Sequence, residues 1–312
     1  MLSRREFLPF LAAPCFAQIP LAQTSLLFGG DVMLSRNVGQ RARRQKDPAW
    51  PFREIATVFA AADIACVNLE SPFSDKGSVV TKGMIFKAEP DMIAGLELAG
   101  IDLVNTANNH ARDRSSYGLE YTLDHLAAHK IQAVGTAKTE EDAHAGIVVL
   151  RNGVRFGFLA YTYDANNGNH KDTDARICVL DVERMQADVA ALKSRSDAII
   201  VAMHAGAEYQ AKPNKQQIAF AQGAVDAGAA AVIGHHPHVR QPWEWYNGAP
   251  IFYSLGNLIF DQFQRKETQI GSLAELIFEG PRLTRARLRT ANIVLTVPSL
   301  ADDPPASFSA VP

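Results

Sequence analysis

Cysteine is scarce. Cys15, Cys66 and Cys178 are the only three in the chain, and they form neither a Cys-x-x-Cys pair nor a recognisable disulfide framework. Cys66 and Cys178 lie in the apolar runs IACV and ICVL, where small buried hydrophobes are the expectation. Excess charge is missing too. A formal net charge of −2 provides no basic surface for nucleic acid. Long apolar runs are absent beyond the N-terminus, so no later segment reads as a membrane span. What remains is ordinary globular composition, 47% hydrophobic and 21% charged, in a chain of 312 residues that is long enough for a large buried core.

The N-terminus reads MLSRREFLPFLAAPCFAQ. Arg4 and Arg5 precede Phe7 and Leu8, and an apolar stretch then runs to Ala17. That stretch has the length of a signal-peptide core and is too short to cross a bilayer as a helix. Pro9 and Pro14 argue against a mature amphipathic helix. Residues 1–22 are therefore expected to be a twin-arginine-type export signal, a class that carries folded proteins, and the mature protein to be periplasmic or extracellular.

Ten short apolar runs follow: Thr24–Gly29, Ile64–Leu69, Leu103–Thr106, Ile131–Val134, Ile147–Val149, Phe156–Ala160, Ile177–Leu180, Ala198–Met203, Ala230–Ile233 and Ile251–Ser254. They are continuous rather than alternating, as in strands covered on both faces. Helical patterns lie between them at Tyr117–His129, Val182–Lys193 and Gln216–Ala227. Asn152-Gly153 marks a hairpin. Leu273–Val297 alternates apolar with polar, as antiparallel strands do. The expectation is an α/β domain over residues 23–297, with a disordered tail over 298–312 around Pro304-Pro305.

Polar clusters follow five of these runs, where α/β folds place their sites. They are Gly29-Gly30-Asp31, Asn68-Leu69-Glu70, the NTANNH segment Asn105–His110, His204-Ala-Gly-Ala-Glu208, and Gly234-His235-His236-Pro237-His238. A glycine-aspartate turn or a lone histidine is commonplace. Three histidines in four positions behind a strand are not, because burying so many unpartnered imidazoles is costly. Metal ligation explains that segment best. Oxygen and imidazole donors in this order fit one or two divalent ions: Mn²⁺, Fe, Zn²⁺ or Mg²⁺. Two ions about 3.5–4 Å apart can hold a phosphoryl group and lower the pKa of a bridging water.

The ordered set GGDVML, NLE, ANNH with Asp113 and Gly118 beyond it, HAGAEY, GHHPHV and SLGNLIFDQ resembles the CapA family over about residues 24–262. That family is associated with poly-γ-glutamate capsule synthesis and is related to calcineurin-like metallophosphoesterases. The resemblance implies two mixed sheets sandwiched between helices, in four layers. It implies Asp31 as the opening metal ligand and Glu70 as the bridging carboxylate. Asn109, His204 and His236 would bind the second metal, His238 the first, and His110 would be the catalytic acid. In this register His235 lies outside the ligand set. Asn68, Asn108, Asp113, Glu208 and Asn257 are expected to support the ligands or touch substrate. Two positions depart from the pattern. Met33 stands where phosphoesterases carry a histidine, and Ala205 follows His204 where many relatives carry an aromatic residue.

Three functions are compatible with this set: a metal-dependent hydrolase in capsule or polyglutamate metabolism, a non-catalytic polymer-binding or export accessory, and a general periplasmic phosphodiesterase. The expected partners are an acidic polymer or phosphoester substrate and membrane-bound capsule synthesis proteins, with no nucleic acid. Replacing Arg4 and Arg5 together by Lys is expected to strand the protein in the cytoplasm. Fractionation of cells expressing the double variant checks this, and undiminished export would refute it.

Overall fold

Along the first strand the side chains alternate. Leu26 and Phe28 point into one apolar layer and Leu27 into another, as the two-residue period of a strand requires. Both faces are buried, which is why the run looked continuous rather than amphipathic. The computed structural model describes residues 22–76, 84–163, 174–302 and 308–311. Residues 1–21 of the expected signal segment lie outside them.

The chain runs β1 (Gln23–Val32), α1 (Arg36–Gln45), α2 (Ala56–Ala60), β2 (Ile64–Leu69), α3 (Ile93–Leu98), β3 (Leu103–Asn105), α4 (Ser115–Ala128), β4 (Gln132–Val134) and α5 (Glu140–Ala145). It continues through β5 (Ile147–Arg151), β6 (Val154–Thr162), α6 (Val182–Leu192), β7 (Ala198–His204), α7 (Lys215–Ala227) and β8 (Ala231–His235). Then come β9 (Trp243–Tyr246), β10 (Ala249–Phe252), β11 (Asn257–Ile259), β12 (Ile270–Glu279), β13 (Arg282–Val294), β14 (Val297–Leu300) and β15 (Ser309–Ala310).

Two mixed sheets result. One has the order β14-β13-β12-β1-β2-β3-β4, with β11 also paired to β1 and β15 to β13. The other has the order β5-β6-β7-β8-β10-β9. Leu26, Phe28, Cys66 and Leu103 of the first sheet pack against Phe156, Phe158, Ile200 and Ile233 of the second. Phe156 and Phe278 meet edge to face across this layer, with centroids 5.1 Å apart, a geometry that adds about 0.5–1.5 kcal/mol to the burial itself. On its outer face the first sheet carries Val38, Phe59, Leu96 and Leu126 from α1 to α4. The second carries Met185, Val189, Phe220 and Ala224 from α6 and α7. The four-layer α/β/β/α sandwich is as expected.

Local signals set the helix ends. Asn214 and Gln217 form a reciprocal capping box at the start of α7, and Gly228 closes it with φ 107°. Asp181 caps α6 by accepting from Arg184 N. Cys66 and Cys178 are buried free thiols. Among the described residues no helix is long and apolar enough to cross a membrane.

Two expectations are corrected. Ile177–Leu180 is not a strand. It makes isolated bridges, Thr136 to Ile177 and Thr162 to Val179, because it crosses from the end of β4 to the end of β6. Cys178 N donates to Gly135 O and Cys178 O accepts from Thr162 N, so the segment ties one sheet to the other. The stretch from 298 is not uniformly without structure either. Pro298 lies in β14 opposite Ile293, an edge position where its missing N–H costs nothing. Ser309 and Ala310 pair with β13, and Trp245 donates to Ser309 Oγ. The domain thus extends past 297, and residues 303–307 lie outside the described set.

The parallel strands end on one edge of the sandwich, and close backbone approach sets that edge. A Cβ on Gly30 would lie 1.9 Å from Gly256 O, the carbonyl that accepts from Asp31 N. A Cβ on Gly234 would lie 2.0 Å from Tyr253 O. Gly30→Ala should destabilise the protein by about 3 kcal/mol or more, since the clash is with backbone. Gly153→Ala, with no atom within 4 Å but φ +80°, should cost only about 1–2 kcal/mol. Urea unfolding of both variants checks the order, and equal midpoints would refute it.

Candidate metal centre

Each polar cluster arrives at this edge from the C-terminal end of its own strand. β1 delivers Asp31, β2 delivers Asn68 and Glu70, and the loop after β3 delivers Asn108, Asn109 and His110. β7 delivers His204, and the turn after β8 delivers His236 and His238. Both of these last histidines have positive φ, 96° and 58°, a backbone form rare outside glycine and concentrated at functional sites.

Two triads of donor atoms form. Asp31, Glu70 and His238 make one, and Glu70, His204 and His236 the other; within each, the donor atoms lie within 4.8 Å of one another. Glu70 belongs to both. Its Oε1 is 3.6 Å from His238 Nε2, 3.9 Å from His204 Nε2 and 3.9 Å from His110 Nε2. That oxygen is buried and has no hydrogen-bond partner. Asn109 joins the second triad, its Oδ1 lying 2.8 Å from His204 Nε2.

Supporting contacts hold the donors in place. Asn68 Nδ2 donates to Asp31 Oδ1 (2.8 Å) and Glu70 Oε2 (3.3 Å) and lies 3.2 Å from His204 Nδ1. Asn108 donates to Leu69 O (2.9 Å) and accepts from His110 N (3.1 Å). Asn257 sits opposite Asp31 in the β1–β11 pairing, and its Oδ1 is 3.0 Å from His238 Nδ1. Asp113 Oδ2 lies 2.6 Å from His110 Nδ1, which turns Nε2 toward the cluster. Glu208 is exposed in the loop after β7, close enough for its charge to act on Glu70.

Burial dominates the electrostatics. It pushes the Glu70 carboxyl well above the usual range, and the charges of Asp31, Glu208 and Asp113 push the same way. Burial also pushes Asp31 up. There the hydrogen bond and charge of His238, the charge of His235 and the Asn68 amide prevail and hold it below its usual value. His204 is driven well below the ordinary imidazole range by burial and then by its histidine neighbours. His236 falls to about 3 for the same reasons. Neutral imidazoles are the ligand form. Oxygen and imidazole donors converging on one buried, otherwise unpartnered carboxylate oxygen fit a divalent cation.

Residues 25–262 match the bacterial capsule synthesis protein PGA_cap family. The chain belongs to that family. It is 33% identical over 242 residues to the PGA biosynthesis protein CapA of Bacillus subtilis (strain 168), covering 76% of this chain and 63% of that protein. It is 31% identical over 242 residues to the capsule biosynthesis protein CapA of Bacillus anthracis, covering 75% and 59%. The chain thus spans about three fifths of the length of these two relatives. In structure it is similar to a novel phosphatase of Mycoplasma pneumoniae, with a TM-score of 0.52 and 12% identity over 93% of each chain, a likeness of fold.

In this PGA_cap member Met33 is fully buried in the layer under α1 to α4, its sulfur accepting from Ser35 N. The first triad therefore has no histidine from β1. His235 stands apart from both triads, with Nε2 3.2 Å from Gly29 O. Three participants escaped the sequence reading. Tyr163 Oη lies 3.0 Å from His236 Nε2, and Phe86 stacks on the His110 ring at 4.0 Å while its N–H donates to Asp113. Arg36 pairs with Asp261 beside Phe86. For Tyr163 the available signal was an aromatic residue just past the run Phe156–Ala160; Phe86 gave none. Metal content, measured by elemental analysis, should fall most in His236→Ala and His238→Ala and least in His235→Ala. The reverse order would shift the ligand register by one residue.

Proposed function

We propose that this chain is an exported, metal-dependent hydrolase that acts on the γ-glutamyl amides of a cell-surface polyglutamate. The observation that supports a catalytic centre best is Glu70 Oε1, buried, without a hydrogen-bond partner and faced by three imidazole nitrogens. A carboxylate so placed is costly unless a cation completes it. Support for the substrate comes from the family: the Bacillus subtilis relative is a PGA biosynthesis protein. The twin-arginine pattern of Arg4 and Arg5 supports export.

Asp31, Glu70 and His238 would hold one ion, and Glu70, Asn109, His204 and His236 a second. Such ions, when bound, would supply Lewis acidity and lower the pKa of water. The chain's own residues supply the rest. Hydrolysis adds water across the amide, the C–N bond breaks, and the departing nitrogen needs a proton. His110 Nε2 would give it; the Asp113 contact at Nδ1 and the stacked Phe86 ring support that role. Tyr163, whose hydroxyl burial keeps protonated, lies beside His236 and would offer a hydrogen bond to substrate there.

One observation favours the accessory reading instead. Met33 leaves the first triad with three side chains, one fewer than the phosphoesterase pattern implies. The two readings part in a single experiment. His110→Ala is expected to keep its metal and its fold while cleavage of γ-linked glutamate chains falls by about a hundred- to ten-thousand-fold. A folded, metal-loaded variant with full activity removes His110 as the acid. A metal-loaded wild type that cleaves neither γ-glutamyl chains nor phosphoesters makes this protein a polymer-binding accessory.

A further inference from the structure

A chain of contacts leads outward from His238 to a cation. Asn257, whose Oδ1 faces His238 Nδ1, donates through Nδ2 to Gln262 Oε1 (3.0 Å) and to Thr268 O (2.9 Å). Gln262 Nε2 donates to Tyr209 Oη (3.2 Å). The Tyr209 ring lies 6.2 Å from the His238 ring, so the path closes on itself. Tyr209 has φ 63°, a costly form for a bulky residue, and Tyr209 N donates to Pro237 O in the histidine turn. Over this ring, 4.7 Å from its centroid, sits the guanidinium of Arg265.

Two arginines near this edge are already held by carboxylates. Arg36 is paired with Asp261 at 2.6 Å, and Arg112 with Asp174 at 3.3 Å. Arg265 is exposed, and among the described residues no carboxylate lies within ion-pair distance of it. Glu208, on the neighbouring loop, is close enough for its charge to act on the Tyr209 hydroxyl. Stacking on an aromatic face orients a guanidinium without using its N–H groups, so the planar fork stays available for a carboxylate.

We propose that Arg265 is a specificity-determining residue that binds an α-carboxylate of the polyglutamate chain while the γ-amide lies at the metal centre. This rests on the polyglutamate reading above. The chemistry of the polymer supports it. A phosphoester carries its charge on the group being cleaved, where metal ions neutralise it. A γ-linked glutamate chain carries one carboxylate per unit beside the amide, so a site for it needs a cation set away from the metals. Arg265 stands one aromatic ring away from His238, on the loop that follows β11, the strand whose Asn257 faces that ligand.

The test is calorimetric titration of metal-loaded protein with a short γ-linked glutamate oligomer and with the same oligomer amidated at its α-carboxylates. Wild type should prefer the charged oligomer by about tenfold or more, as charge-assisted hydrogen bonds allow. Arg265→Ala should lose that preference with metal content and melting temperature unchanged, and Arg265→Lys should restore part of it as a point charge. If wild type binds the charged oligomer and Arg265→Ala binds it equally well, Arg265 has no such role and the polyglutamate reading stands. If wild type binds neither oligomer, the polyglutamate reading falls and this inference with it.

Discussion

A carboxylate oxygen with no hydrogen-bond partner, buried at the tip of β2, is the constraint around which this protein is arranged. Left as it stands, Glu70 Oε1 is a desolvation cost of the kind that folded proteins avoid. Its surroundings make sense as accommodation of that oxygen. Imidazoles from β7 and from the turn after β8 converge on it, and Asn68 steadies the carboxylate's other oxygen. Reaching that convergence requires strand ends from two different sheets to meet on one edge. Gly30 and Gly234 allow it, since a side chain at either would strike backbone. The left-handed conformations of His236 and His238 are a further cost borne at the same place.

Much of this was legible in the residues. Strands buried on both faces show as unbroken apolar runs, and nine of the ten runs contain strands of the two sheets. The tenth, Ile177–Leu180, has the composition of a strand but spends its backbone groups bridging the two sheets, which composition cannot reveal. Pro298 and the residues after it were read from their polarity. What placed them was an open edge on β13, a property of the fold rather than of the local sequence. The site was legible where several donors crowd one segment, as in Gly234–His238. It was not legible where one ordinary residue matters through a distant partner. Nothing near Phe86 foretells that it will stack on His110, and nothing near Gln262 foretells its place between Asn257 and Tyr209. Met33 was conspicuous as a departure in sequence; only its burial beneath the helices shows where that side chain goes.

The placement of β1 bears on how the molecule is made. This strand opens the described chain, yet Gln23 to Phe28 pair with Ala274 to Glu279, and its far end pairs with β11. The centre of the larger sheet is thus closed by residues from opposite ends of the sequence. Contacts of such high order are slow to form, because loop-closure entropy must be overcome before they return any stabilisation. During synthesis β1 can find β2 early, but its other edge stays bare until β12 has left the ribosome. For that interval an apolar strand with an unpaired edge is open to chaperones and to other nascent chains, so the yield of this protein depends on how quickly its last strands arrive.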